Sequence, residues 1–264
     1  MPGRPAGLPS YRPVCMITWV IITLTHERDR RVARVRYDNA TRGNCFDHAA
    51  LHDLVETLES AAADETCAII HLEMAGRHFC GGWDTSSFGR LARASVQEIA
   101  ADLRDSDLAL HRIRQLPVPV VAAVRGEVIG FGAGLLHAVH LPVAATSARM
   151  SLPEARYGFA PAGVGHTIAQ SLPRAHAYHL LTGAAAATAA QLLAWGLVAR
   201  VVDDDHVDHE VDALIDALLA VPGRTVRAVV QVVESSLTTG RPEHAYDVSA
   251  GTIRAGLNAE ESRG

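Results

Sequence analysis

The chain has 264 residues, of which 48% are hydrophobic and 20% charged, and it carries a formal net charge of −5. This composition is ordinary for a globular protein with one large domain, and the acidic balance argues against a nucleic-acid or membrane-surface partner. All 24 basic residues are arginine, which excludes any chemistry that needs a lysine amine.

The N-terminal segment is expected to be neither a signal peptide nor a membrane anchor. Residues 1–15 are rich in proline and glycine and are predicted to form a disordered leader. The apolar run at 15–24 is shorter than the ~20 residues that span a bilayer, and charged residues follow it in place of a cleavage site. The four cysteines form no CxxC pair, which indicates a reducing, cytoplasmic environment.

The first half of the chain alternates between strand and helix signals. Apolar runs predict strands at 17–25, 32–37, 67–72 and 118–124. A polar turn joins the first two strands and predicts a hairpin. Two helices are predicted between the later strands. Asp47 caps one that runs to about residue 62, and the Ser95–Glu98 capping box opens one that runs to about residue 116.

The second half continues this alternation and then becomes helical. Its predicted elements are a helix at 132–139, strands at 141–145 and 196–202, a capping box at Thr188–Gln191, and helices at 207–221, 224–237 and after His244. This order predicts an α/β core over residues 16–203 followed by a C-terminal helical region over residues 204–264.

Two glycine-containing turns each follow a predicted core strand. The turn GFGAG (130–134) lacks the third glycine and the acidic ribose partner of a dinucleotide-binding fingerprint. A helix begins directly after it, and the free N–H groups of a helix start attract negative charge. The turn FCGGWD (79–84) is the second. Each turn alone is equally typical of a tight strand-to-helix connection, where glycine allows a positive φ.

Four sequence blocks resemble the crotonase (enoyl-CoA hydratase/isomerase) superfamily. They are GRHFCGGWD, LPVPVVAAVRGEVIGFGAG, ARMSLPEARYGFAPAGVG and LLTGAAAATAAQLLAWGLVARVV, and the resemblance extends over nearly the whole chain after Met16. It implies a crotonase-like α/β fold, a spiral of ββα units with a C-terminal helical trimerisation region, assembled as homotrimers or hexamers. It also implies an enzyme for thioesters of coenzyme A or of an acyl carrier protein, with neither a metal nor a cofactor beyond the substrate's own coenzyme A or phosphopantetheine.

The resemblance assigns the chemistry to three residues. The backbone N–H groups of Trp83 and Phe131 would form an oxyanion hole, and Glu154 would transfer a proton. Phe131 replaces the family's usual glycine, so its ring is expected to enter the pocket while the N–H donor is kept. Gly134 replaces the first glutamate of many family hydratases. The chain is therefore similar to enoyl-CoA isomerases, in which one glutamate moves a proton between C2 and C4, and hydration or dehydration stays open.

Further contacts and alternative activities follow from the same resemblance. Arg42 and Arg227 are candidates for the coenzyme A phosphates, and the glycine turns add Phe79, Gly82 and Gly132 as substrate contacts. The stretch VRGEVIGFGAG is also similar to polyketide-cluster dehydratases that act on carrier-bound substrates. A related decarboxylating branch relies on a lysine that this chain lacks. A non-catalytic thioester-binding homologue is the third alternative.

Physical chemistry supports the assignment of Glu154 independently of the resemblance. Removing a C2 proton from a thioester produces an enolate, and each preorganised N–H donor at its oxygen lowers the barrier by roughly 3–4 kcal/mol. Burial raises the pKa of a carboxyl group toward working pH and makes it a better proton shuttle. Pro153 favours the start of a short helix that would orient Glu154. The alternative is a surface glutamate in the first turn of a helix.

Two histidines on the helix after the glycine turn complete the candidate residues. His137 and His140 are three positions apart and could face one way as metal ligands. The sequence offers no third ligand at a suitable spacing, so both are predicted to be structural histidines.

Overall fold

A six-stranded sheet and a three-stranded sheet organise the fold in a computed structural model that describes residues 20–91, 93–239 and 243–261. The predicted leader at 1–15 lies outside the described residues. The strands are β1 (Ile21–Glu27), β2 (Val32–Asp38), β3 (Ile69–Met74), β4 (Val120–Val124), β5 (Glu127–Ile129), β6 (Leu141–Ala145), β7 (Arg149–Ser151), β8 (Ala187–Thr188) and β9 (Arg200–Val202).

The strands of the two sheets alternate along the second half of the chain. The large sheet has the order β1-β2-β3-β4-β6-β9, and the small sheet has the order β5-β7-β8. The strands β1 and β2 form the predicted antiparallel hairpin, and the other pairs of the large sheet are parallel. Twice, a strand of the large sheet is followed by a strand of the small sheet and then a helical segment. This is the predicted ββα pattern.

Helices occupy the connections and the C-terminal region. They are α1 (His48–Ala63), α2 (Phe88–Leu91), α3 (Val96–Arg114), α4 (Phe131–Ala138), α5 (Gly163–Ser171), α6 (Arg174–Leu181), α7 (Ala189–Ala194), α8 (Val207–Leu219), α9 (Gly223–Thr239) and α10 (Glu243–Glu261). The Asp47 carboxylate accepts a hydrogen bond from the Ala50 N–H at 2.8 Å and caps α1. Both predicted capping boxes form, at the starts of α3 and α7. Within the described part of the chain, no helix is long and apolar enough to cross a membrane.

Strand β4 is buried on both faces of the large sheet. Val120, Ala122 and Val124 belong to the main core, which also contains buried residues of α1, α3 and α4. Val121 faces the other way and packs in a smaller core with residues of α8, Val207 and Val211 among them. A strand covered on both sides has no polar face, which explains the unbroken apolar run at this position.

The small sheet and the helices α2, α5 and α6 were not predicted from the sequence. Each strand of the small sheet has only two or three residues, which is too short to show a period. The helices α5 and α6 follow the Glu154 segment directly and were left unassigned. The predicted strand at 196–202 is shorter in the structure and begins at Arg200.

Candidate active site

The two glycine turns lie side by side, joined by backbone hydrogen bonds. The Cys80 N–H donates to the Glu127 carbonyl at 3.1 Å, and the Ile129 N–H donates to the Cys80 carbonyl at 2.9 Å. The first turn, residues 79–84, is thereby aligned with β5, which runs into the second turn. Two segments that are far apart in sequence thus form one local structure.

Glycine allows this close approach. A Cβ on Gly82, whose φ is +95°, would lie 2.8 Å from the Ile129 carbonyl oxygen, and a Cβ on Gly132 would lie 2.8 Å from the Cys80 carbonyl oxygen. Both distances are too short for any side chain. The two glycines, predicted as substrate contacts, therefore have a structural role that is sufficient to explain them.

Within the described ranges, the backbone N–H groups of Trp83 and Phe131 have no protein partners. The Phe46 N–H donates to the Gly82 carbonyl at 3.0 Å, and the Asp84 N–H donates to the Phe46 carbonyl at 2.6 Å. Because backbone groups alternate along an extended segment, the intervening Trp83 N–H faces away from Phe46. Phe131 is the first residue of α4, so its N–H has no acceptor within the helix. Among the described residues, neither N–H donates to a protein group.

The side chains of these two residues are held in a row of aromatic rings. The Phe131 ring lies 5.1 Å from the Trp83 ring and 5.5 Å from the Phe46 ring, and Phe46 stacks on Tyr37 at 4.2 Å. Phe131 is only 9% exposed. The expectation that its ring enters the pocket is corrected: the ring packs into the core, which explains why a large residue is tolerated here.

The Phe131→Gly variant should distinguish the effect of the Phe131 ring on stability from the effect of its N–H donor on activity. We expect it to lose about 3–5 kcal/mol of unfolding free energy, since a buried aromatic ring is removed, while the folded enzyme keeps its backbone donor and its kcat within about threefold. Urea denaturation and steady-state kinetics below the melting temperature measure the two effects. A large fall in kcat with unchanged stability would contradict this assignment.

Glu154 lies beside the second glycine turn. It begins a short 3-10 helix (Glu154–Tyr157) after Pro153, as predicted. Parallel pairing of β5 with β7 brings the two strand ends together, and the Gly130 N–H donates to the Ser151 carbonyl at 2.9 Å. A Cβ on Gly130 would lie 2.7 Å from Glu154 Oε1. The carboxylate thus contacts the residue directly before Phe131.

The surroundings of Glu154 suit a proton shuttle. Burial raises the pKa of this carboxyl group above its ordinary value, partly offset by a backbone hydrogen bond. Its Oε2 atom is buried and has no hydrogen-bond partner among the described residues. A desolvated carboxyl group with one oxygen that makes no hydrogen bond to the protein holds its proton more readily and can exchange it with a bound molecule.

An apolar wall occupies the place of a second acid on α4. A Cβ on Gly134 would lie 2.7 Å from Leu110 Cδ1 and 2.9 Å from Val164 Cγ2. These side chains, from α3 and α5, fill the space into which a glutamate at position 134 would project. Glu154 therefore has no carboxylate opposite it on this helix.

Comparison with known proteins decides the family. The enoyl-CoA hydratase/isomerase family profile matches residues 27–255, most of the chain. The chain belongs to this family. A 2,3-dehydroadipyl-CoA hydratase of Escherichia coli is 29% identical over 180 residues, 67% of this chain and 68% of the relative. A 1,2-epoxyphenylacetyl-CoA isomerase of the same species is 26% identical over 220 residues, 83% and 80% of the two chains.

Solved structures of the family share the fold. An enoyl-CoA hydratase from Mycobacterium smegmatis superposes with a TM-score of 0.80 at 24% identity, covering 89% of this chain and 90% of that one. Another from Shewanella pealeana superposes with a TM-score of 0.79 at 22% identity, covering 92% and 93%. The predicted crotonase-like architecture is confirmed.

Two of the residues predicted as substrate contacts have structural side-chain roles. Phe79 is 1% exposed, so its side chain is part of the core. The Arg227 guanidinium donates to the carbonyls of Ala62, Asp64 and Cys67, which precede β3. The first glycine turn follows β3, and a six-residue strand is about 20 Å long. Arg227 therefore ties α9 to the opposite end of the strand.

Arg42 does lie close to the first glycine turn. Its guanidinium donates to Asp84 Oδ1 at 2.8 Å, directly after Trp83, and its side chain is 43% exposed. A half-exposed arginine at this position is available to a substrate phosphate, and its role as a phosphate contact stays a prediction.

His137 on α4 and His140, two residues after the end of this helix, are structural, as predicted. His140 Nδ1 accepts a hydrogen bond from the Val120 N–H at 3.0 Å, and its Nε2 bonds to the Arg114 carbonyl at 3.1 Å. His137 Nε2 lies 2.7 Å from Ser171 Oγ. Both side chains therefore fix the position of α4.

Sequence reasoning missed a different group of histidines. His52 Nε2 lies 2.7 Å and His48 Nδ1 lies 3.2 Å from Asp105 Oδ2, which links α1 to α3. The His48 ring also contacts the Trp83 ring edge-on at 4.7 Å. The i, i+4 spacing of the two histidines was visible in the sequence, but their acidic partner on another helix was not. The His48 ring therefore connects this group of side chains to the first glycine turn.

Proposed function

We propose that this enzyme removes and returns a C2 proton of an acyl thioester, with Glu154 carrying the proton. The backbone N–H groups of Trp83 and Phe131 would stabilise the enolate oxygen. The observation that carries the proposal is the position of Glu154: its desolvated carboxyl group lies against Gly130, one residue before a free N–H donor.

The proposed chemistry begins with the ionised form of Glu154. It accepts the C2 proton, and the electron pair of the C–H bond moves toward the thioester carbonyl, where negative charge grows. Two preorganised N–H donors at that oxygen lower the barrier by roughly 3–4 kcal/mol each. Returning the proton to C4 of a 3-enoyl substrate moves the double bond to C2–C3. Loss of the C3 hydroxyl group together with the proton that Glu154 holds gives elimination of water instead.

A thioester of coenzyme A or of a carrier protein is the proposed substrate. The names of the two Escherichia coli relatives describe coenzyme A thioesters, which supports this class. The proton transfer needs no metal and no cofactor beyond the thioester's own coenzyme A or phosphopantetheine. Arg42 is the proposed phosphate contact at the first glycine turn. The Arg227 guanidinium is occupied by backbone carbonyls, which leaves Arg42 as the candidate contact for the coenzyme A phosphates. A carrier-bound substrate therefore stays an alternative.

A homotrimer, or a hexamer of two trimers, is the proposed assembly. Val229, Val233 and Leu237 follow one another at four-residue intervals on α9 and are 56%, 47% and 77% exposed. Residues four apart lie on the same face of a helix. An apolar face of this kind is suited to contact with a second copy of the chain, as the predicted C-terminal trimerisation region requires.

Hydrogen–deuterium exchange tests the proposed function most directly. The enzyme is incubated with butyryl-CoA in D₂O, and loss of the C2 proton signal is followed by NMR. This saturated substrate undergoes only enolate formation and reprotonation. We expect enzyme-dependent exchange at C2. Binding of butyryl-CoA without exchange, together with no turnover of crotonyl-CoA or a 3-enoyl-CoA, would show a non-catalytic thioester-binding homologue.

A further inference from the structure

Helices α1 and α3 meet through a group of imidazole and carboxylate side chains. His48 and His52 are four residues apart on α1, so they lie on the same face of this helix. Asp105 on α3 faces them: its Oδ2 atom lies 2.7 Å from His52 Nε2 and 3.2 Å from His48 Nδ1. One carboxylate oxygen thus contacts a nitrogen atom of both rings.

The spacing of these three side chains matches the requirements of a metal ion. One ligand atom from each of them lies within 4.8 Å of the ligand atoms of the other two. Two ligand atoms of a tetrahedral zinc ion, each about 2.1 Å from the metal, are roughly 3.4 Å apart. The two contacts of Asp105 are only slightly shorter than this separation, so small rotations of the side chains would admit an ion.

The charge of the group favours a divalent cation. Asp102 precedes Asp105 by one turn of α3, and its Oδ2 atom lies 3.7 Å from His48 Nε2, the second nitrogen of that ring. A carboxylate beside the second nitrogen of a ligating imidazole orients the ring and raises its basicity. Asp102 and Asp105 together supply two negative charges, which balance a divalent cation bound to neutral imidazoles.

The ligand types indicate a transition metal. Imidazole nitrogen suits zinc, copper, nickel and iron, whereas calcium and magnesium prefer oxygen ligands. The three side chains are also partly accessible, with 29% of His48, 37% of His52 and 43% of Asp105 exposed. An ion can therefore enter from solvent, and a water molecule can complete its coordination.

The group is connected to the first glycine turn in two ways. The His48 ring contacts the Trp83 ring edge-on at 4.7 Å. In addition, Phe46, two residues before α1, pairs with the turn: its N–H donates to the Gly82 carbonyl, and its carbonyl accepts from the Asp84 N–H. An ion that joined α1 to α3 would therefore restrain the surroundings of Trp83, which carries one of the two proposed N–H donors.

We propose that His48, His52 and Asp105 bind one divalent transition-metal ion of the zinc type, which joins α1 to α3 beside the first glycine turn. The convergence of three ligand atoms from two helices carries the assignment. The ion stabilises the fold around Trp83 and takes no part in the proton transfer by Glu154. The proposal therefore stands or falls independently of the proposed function.

Zinc titration of the full chain, without an affinity tag and stripped of metal, tests the proposal. We expect one Zn²⁺ to bind per chain in competition with a chromophoric chelator. Zn²⁺ at about 100 times its Kd should raise the melting temperature by about 5–10 °C. His52→Ala and Asp105→Asn, which change partly exposed side chains, should each lower the affinity about 100-fold or more, because a direct ligand is lost.

The matched control is the double variant His206→Ala/His209→Ala. It removes two exposed histidines near the start of α8 and should bind zinc as the wild type does. Loss of zinc binding in this variant would place the ion on α8 and overturn the proposal. Absence of zinc binding in the wild type, or equal affinities in His52→Ala and the wild type, would show that the three side chains only hydrogen-bond α1 to α3.

Tryptophan fluorescence tests the position of the ion. Co²⁺ in the site should quench the fluorescence of the wild type, because the ion is bound to the ring that contacts Trp83. The Trp83→Phe variant should bind Co²⁺ and lose most of this quenching. Quenching that persists in full in Trp83→Phe would place the ion elsewhere and overturn the proposal.

Discussion

The Glu154→Gln variant should lose C2 proton exchange by about 10²- to 10⁴-fold, which is the usual contribution of a positioned general base. Glutamine has nearly the same shape, so the glycine turns and the N–H donors should be undisturbed. NMR-detected exchange of butyryl-CoA in D₂O measures the effect. Glu56→Gln, which changes an exposed acid on α1, is the control and should retain the wild-type rate. Full exchange in Glu154→Gln would refute the assignment.

The same carboxyl group should set the acidic limb of the pH profile. Burial raises the pKa of Glu154, and only the ionised form accepts a proton. The exchange rate should therefore fall as the pH drops through this raised pKa, at a higher pH than for an ordinary glutamate. A profile of kcat/KM against pH locates this limb. An acidic limb at the ordinary pKa of a glutamate would contradict the assignment of this limb to a desolvated Glu154 carboxyl group.

The stability of the fold should depend on Glu154 in the opposite sense. Because the pKa is raised in the folded state, the protonated carboxyl group favours folding. This contribution is fully present below the pKa of the unfolded chain and is lost as the pH rises through the folded-state value. At neutral pH the wild type carries an unpaired, desolvated charge that the glutamine variant lacks. Glu154→Gln should therefore be no less stable than the wild type in urea at neutral pH.

The Gly130→Ala variant should show the second large effect. Gly130 has φ +53° and ψ −113°, a backbone conformation that residues with a side chain rarely adopt. The added Cβ would also lie 2.7 Å from Glu154 Oε1. We expect a loss of about 1–3 kcal/mol of unfolding free energy and, because the carboxylate must move, a fall in C2 exchange of about 10²-fold.

A second glycine separates backbone strain from displacement of the carboxylate. Gly196, at the end of α7, also has a positive φ, +75°, but a Cβ there would meet no atom within 4 Å. Gly196→Ala should lose a similar stability and keep full activity. Urea denaturation and exchange kinetics on both variants give the comparison. Equal activity in Gly130→Ala and Gly196→Ala would show that the contact between Gly130 and Glu154 is not needed.

Local signals in the sequence predicted the main elements well. Asp47, Ser95 and Thr188 cap helices because their side chains bond to backbone N–H groups a few residues away, and such signals do not depend on the rest of the fold. The two- and three-residue strands of the small sheet depend on pairing with distant segments. Nothing in residues 187–188 alone identifies β8.

The candidate site was predictable only where residues belong to a sequence block. Trp83, Phe131 and Glu154 were found through the glycine turns and the LPEARYG block. Arg227 was assigned to the substrate because an arginine on a C-terminal helix gives no sign, in sequence, of the three carbonyls that occupy it.

The aromatic row of Tyr37, Phe46, Phe131 and Trp83 connects the proposed oxyanion hole to the core of the protein. Both residues that supply the N–H donors place their rings in one stack, and Tyr37 and Phe46 are completely inaccessible to solvent. The rings therefore belong to the packing of the domain, whereas the backbone hydrogen bonds between Cys80 and β5 hold the two donor-bearing turns together. The distance between the two proposed donors can change only if that backbone pairing breaks, so we expect little reorganisation during the proposed reaction.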